Sequence, residues 1–103
     1  MSHRVRFMPR ALADLNELHD YIAPRGGATV ADNYIGRIHA SCMKLETFPE
    51  RGTRRDDLAK GLRTLGFERR ATIAFFVEGQ EVWILRVLYG GQDIEGLFGD
   101  MEE

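Results

Sequence analysis

The sequence predicts an α+β domain with a short opening strand, a helical hairpin and a three-stranded antiparallel meander, both helices packed on one sheet face. Three observations predict it. The stretch 71–93, ATIAFFVEGQEVWILRVLYGGQD, reads as two strands rich in β-branched and aromatic residues, joined by a tight turn at Glu78-Gly79-Gln80. Two amphipathic segments, 9–23 and 28–47, follow one another with no strand between them. Consecutive helices flanked by strands belong to α+β architectures, not to doubly wound sheets. At 103 residues, 44% of them hydrophobic, the chain builds one core, and the expected domain spans 1–103.

Arg4-Val5-Arg6-Phe7 alternates charged and apolar residues, which predicts an edge strand with Val5 and Phe7 facing inward. Pro9 suits the first turn of a helix, where its missing N–H costs nothing. Ala11, Leu15, Leu18 and Ile22 form one apolar stripe, and Pro24-Arg25-Gly26-Gly27 is expected to end the helix near Ala23. In the second helix Ala31, Ile35, Ile38, Cys42 and Leu45 make the stripe, widened by Val30 and Tyr34, until Pro49 and Gly52 stop it. The polar segment 50–61 reads as a loop, and 61–67 as a third short strand. The tail beyond Asp93 is expected to be a last helical turn or a loose end.

Strict alternation puts Ile73, Phe75 and Val77 on one face of the hairpin and Thr72, Ala74 and Phe76 on the other. In the last strand it groups Trp83, Leu85, Val87 and Tyr89 against Val82, Ile84, Arg86 and Leu88. A sheet that is apolar on both faces needs two covers, and the helices supply one. Phe76, Val82, Ile84 and Leu88, or their opposites across the sheet, are therefore expected on a partly bare face that a partner closes, unless Ile94, Leu97 and Phe98 fold back over it. Arg86 in that company needs a counter-charge, expected from Glu68, Asp93 or a partner. Asp14 and Asp20, six apart on the first helix, are expected to face solvent.

Charge is uneven. Residues 51–70 carry seven bases against three acids, whereas 93–103 hold acids only. Arg54, Arg55, Arg63, Arg69 and Arg70 cluster in sequence around the third strand, where they suit carboxylates or phosphates. No metal or cofactor is expected: His3, His19 and His39 lack zinc spacing, and the phosphate-loop and nucleophile-elbow motifs are missing. Cys42 lies on an apolar stripe and reads as a small hydrophobe, not a nucleophile. A single cysteine, no signal-like N-terminus and no bilayer-length apolar run predict a cytoplasmic protein with no membrane partner.

These residues, taken together, resemble the ParE branch of the RelE/ParE superfamily of toxin–antitoxin toxins. The resemblance rests on Ala11, Asp14-Leu15 and Tyr21-Ile22, on Leu45, Phe48-Pro49 and Gly52, on Gly61-Leu62-Arg63, and on the run from Val82 to Asp93. It implies a cognate ParD-like antitoxin, with operator DNA reached only through that antitoxin, and DNA gyrase as the target of a protein that catalyses no reaction. Arg63, Phe76, Val82, Ile84, Arg86 and Leu88 are then expected to meet the antitoxin, and Arg54, Arg55, Arg69, Arg70 and Tyr89 the target. The superfamily also implies two other readings, a ribosome-dependent mRNA endoribonuclease or a scaffold acting only through antitoxin binding. Ribonuclease chemistry needs a base, an acid and a cation on the phosphate. Gly90-Gly91-Gln92 and a tail without tyrosine or histidine leave few candidates for the first two.

Overall fold

A computed structural model describes residues 3–90. The chain runs β1 (Arg4–Phe7), α1 (Pro9–Gly26), α2 (Ala28–Met43), a 3-10 turn (Lys44–Glu46), β2 (Thr53–Arg54), β3 (Arg63–Phe67), β4 (Ala71–Glu78) and β5 (Glu81–Tyr89). The strands form one sheet in the order β1-β5-β4-β3-β2. β1 lies parallel to β5, and the remaining neighbours are antiparallel. The expected α+β arrangement is therefore present, with the meander extended at one edge by a two-residue strand that the polar loop concealed.

The core lies between helices and sheet. Ala11, Leu15 and Leu18 of α1 and Tyr34, Ile38 and Cys42 of α2, with Leu45, pack on Ala71, Ile73, Phe75, Val82, Ile84 and Val87. Both helical stripes therefore do what their spacing predicts. Val30 is the exception, half exposed rather than part of the stripe. α1 also continues through Pro24 to Gly26. Proline in the final turn forfeits only one hydrogen bond, and the Gly27 N–H closes that turn on the Ala23 carbonyl at 2.8 Å.

The turns follow from backbone conformation. Gly79 (φ 60) opens the two-residue connection between paired Glu78 and Glu81, as a type II′ turn requires. Gly52 (φ 80) lies where a Cβ would come within 2.2 Å of the Thr64 carbonyl oxygen, so only glycine lets β2 dock on β3.

Strict alternation fails in β5. Ala74 faces Arg86 and Phe75 faces Ile84, which leaves Leu85 as the extra residue of a β-bulge. One extra residue flips the parity beyond it. Val82 and Ile84 thus join Val87 and Tyr89 in the helix-side core, whereas Leu85 packs on the opposite face. That opposite face is not left to a partner alone. Leu58 and Leu62, in the connection between β2 and β3, fold across it onto Ala74, and Leu88 is buried as well. The expectation that Val82, Ile84 and Leu88 stand on a bare surface is corrected: the first two lie beneath the helices and all three are buried. Ile94, Leu97 and Phe98 lie outside the described residues.

Asp14 does not face solvent either. It is 6% exposed, and its carboxylate receives the Val87 N–H at 2.9 Å and both Nε and Nη2 of Arg86, at 2.8 and 3.2 Å. Removing one member of a buried, hydrogen-bonded charge pair strands the other. Asp14→Ala should lower unfolding stability by about 3–5 kcal/mol, read by urea denaturation, and Asp14→Ala/Arg86→Met should recover part of that loss. Burial pushes the Cys42 thiol up to about 12 from 9.0. Native protein should therefore resist a thiol reagent at pH 8 that labels the urea-unfolded chain at once. Because the unfolded thiol ionises first, this contribution to stability is complete below pH 9 and is lost as pH rises from 9 toward 12.

Candidate partner-binding surface

The sequence cluster of arginines divides in space. Arg54 pairs with Arg63 at one end of β3, whereas Arg69 and Arg70 sit in the turn at its other end. A five-residue strand separates the two groups by roughly 15 Å. Most of these cations have internal partners. Arg54 is bound to Asp56 and Arg55 to Asp57, and those arginines hold both carboxyls below their ordinary range, the Gly61 N–H being the largest cause at Asp56. Arg70 donates to the Tyr89 side chain, which lifts the guanidinium further. Arg86, expected to meet Glu68, Asp93 or a partner, is instead held by Asp14 in the core. Arg63 differs: it is half-buried, and among the described residues its one hydrogen bond is a 3.5 Å contact from Nη1 to the Arg51 carbonyl.

The part of the helix-free face that stays open is centred on Phe76 and Trp83, a directly paired, half-buried couple on β4 and β5. Arg6 lies over the Trp83 ring at 5.9 Å and pairs with Glu81 at 2.5 Å. Phe76 is thus the one predicted apolar contact residue that remains accessible there, and Trp83 and Arg6 join it. The alternation of β1 could have revealed Arg6, since Val5 and Phe7 face the helices and Arg6 must face the other way.

On the helix side, Tyr34, Tyr89 and Tyr21 form a second group. Tyr34 meets Tyr89 edge-on at 6.1 Å and Phe67 at 5.6 Å, and Tyr21 lies 5.9 Å from Tyr89. Arg25 covers Tyr21 at 3.9 Å. Arg37 holds Glu68 through two hydrogen bonds, of 2.9 and 3.1 Å, which lowers the Glu68 carboxyl below its usual range. That pairing steadies a turn in which Glu68 (φ 49) and Arg69 (φ 60) are both left-handed, a conformation that costs non-glycine residues about 1 kcal/mol each. The Tyr34 hydroxyl is buried without a hydrogen-bond partner among the described residues, and burial raises it above the ordinary phenol range. An unsatisfied buried donor is a penalty that phenylalanine lacks, so Tyr34→Phe should raise stability by about 1 kcal/mol in chemical denaturation.

Among the described residues no group of three histidine, cysteine or carboxylate side chains could hold a metal, and no helix is long and apolar enough to cross a membrane. The assembled features are a small α+β scaffold, a covered core and surface patches of paired arginine and aromatic residues. Comparison with known proteins says which class of protein carries this scaffold. Residues 5–94 match the family model described as the ParE toxin of the type II toxin–antitoxin system, parDE. The chain belongs to that family. It is 30% identical over 86 residues to Toxin ParE3 of Caulobacter vibrioides, covering 84% of this chain and 85% of that one. Its fold superposes on a chain of the chromosomal ParDE system from P. aeruginosa with a TM-score of 0.76 and 27% identity, over 86% of this chain and 97% of that one. It also superposes on a chain of the RelBE2 toxin–antitoxin complex from Mycobacterium tuberculosis at 0.62, with 19% identity over 86% and 99% of the two chains, a likeness of fold.

Proposed function

We propose that this toxin arrests growth by inhibiting DNA gyrase in the cytoplasm and is neutralised by a cognate ParD-like antitoxin. The observation that carries this reading is the family match across residues 5–94. The distribution of cations supports inhibition by binding over RNA cleavage. A ribonuclease needs arginine free for phosphate, with an acid and a base beside it. Here Arg54, Arg55 and Arg70 have internal partners, and Arg63 and Arg69, which are more available, lie at opposite ends of β3, too far apart to share one phosphate.

In this reading the antitoxin covers the open strip around Phe76 and Trp83 and engages Arg63. Arg69, exposed in its turn, and Tyr89 are left for the target. The two activities separate in one experiment. Purified toxin at micromolar excess should inhibit gyrase supercoiling or trap cleaved DNA, and adding the protein encoded beside the toxin gene should reverse the effect. Induction in cells should leave messages intact by primer extension. Undisturbed gyrase together with cut messages would replace this reading with the ribonuclease one.

A further inference from the structure

A cleft of about 330 Å³ opens where β2 and β3 meet the chain that leaves the 3-10 turn, lined by His3, Pro49, Glu50, Arg54, Arg63 and Val77 among others. Three features of it are unusual. Arg54 and Arg63 are direct cross-strand partners, so two like charges stand side by side on one face of the sheet, an arrangement that destabilises a strand pair. Arg54 is neutralised by Asp56, but Arg63 reaches Asp56 only through its field and has no ion pair of its own among the described residues. His3 Nδ1 is shielded from solvent with no hydrogen-bond partner among the described residues. A planar guanidinium with most of its five N–H groups unused suits a carboxylate approaching in its plane.

We propose that this cleft receives a carboxylate side chain from a protein partner, with Arg63 as its principal ligand and an apolar neighbour of that carboxylate resting beside Pro49. The apolar component follows from Pro49 in the cleft wall and from Phe48, next to it in the chain and, at 63%, the most exposed of the large hydrophobic side chains described. A single carboxylate fits better than a nucleic-acid backbone. Glu50 lines the same opening, Asp56 and Asp57 lie close in the chain, and the protein carries a formal charge of −2, all of which repel a polyanion. The inference deepens the antitoxin reading and rests on it only for which protein brings the carboxylate. Glu50, which has no ion pair among the described residues, is the built-in competitor for Arg63.

The test uses the whole chain, labelled with ¹⁵N, titrated with acetyl-Leu-Glu-amide and, separately, with acetyl-Leu-Gln-amide and inorganic phosphate. The glutamate peptide should shift the Arg63 Nε–H and His3 signals saturably, and the glutamine peptide should leave them in place. Arg63→Gln should weaken binding by about tenfold or more, and Glu50→Gln, an exposed change that leaves the fold intact, should tighten it about twofold. Opposite effects of the two variants cannot arise from a structural role for Arg63. Equal shifts with both peptides, a response to phosphate stronger than to the glutamate peptide, or no gain from Glu50→Gln would each overturn the proposal. All of these outcomes are read without antitoxin or gyrase, so they stand apart from success or failure of the toxin assignment.

Discussion

The carboxylate of Asp14 holds this fold in register. β1 pairs with β5 only from Glu81 to Ile84, and the Met8 N–H on Ile84 closes that ladder. Beyond it, among the described residues, the outer edge of β5 has no strand beside it. An exposed edge is a template for unwanted pairing, and a buried N–H without an acceptor is costly. Asp14, projecting from α1, takes the Val87 N–H in place of a strand and holds Arg86 alongside. One side chain thus caps the sheet edge, neutralises a part-buried arginine and fixes α1 against β5. The bulge at Leu85 lies immediately before this anchor. It sends Leu85 to the second cluster and Val87 back to the main core, so each face keeps an apolar filling on both sides of the irregularity.

The same economy of charge shapes the surface. Arg6–Glu81, Arg10–Glu17, Arg37–Glu68, Arg54–Asp56 and Arg55–Asp57 are pairs between exposed or half-exposed side chains. Each contributes little to stability in water. Their effect is on recognition, since a paired arginine presents less charge to a polyanion than its count in the sequence implies. What a partner meets is a patchwork in which aromatic rings lie under guanidinium groups, as Trp83 lies under Arg6 and Tyr21 under Arg25. Such a surface suits contact with another protein.

Much of the architecture was legible in the residue pattern. The apolar stripes of both helices, the β4–β5 turn at Gly79 and the order of elements all depend on interactions close in sequence, which periodicity and turn chemistry record. The candidate surface was less legible. Phe76 lies on the face that alternation predicts because β4 carries no extra residue, whereas β5 carries one at Leu85, so a single alternation cannot hold for Val82, Ile84 and Leu88 together. No residue type marks that bulge, because Leu85 is an ordinary strand residue.

Residue order and composition alone were enough to set the α+β class, the two helices, the long hairpin and the apolar content that obliges them to pack. It took the folded chain to bring Asp14 and Arg86, 72 residues apart, into a buried contact, and to lay the loop bearing Leu58 and Leu62 over the second face. The fold alone separated the arginines that sequence had gathered into one group. The physical reason is the range of the forces concerned. Hydrophobic periodicity acts over a few neighbouring residues and leaves a local trace, whereas the pairing of a carboxylate with a distant guanidinium is settled when the chain is already compact.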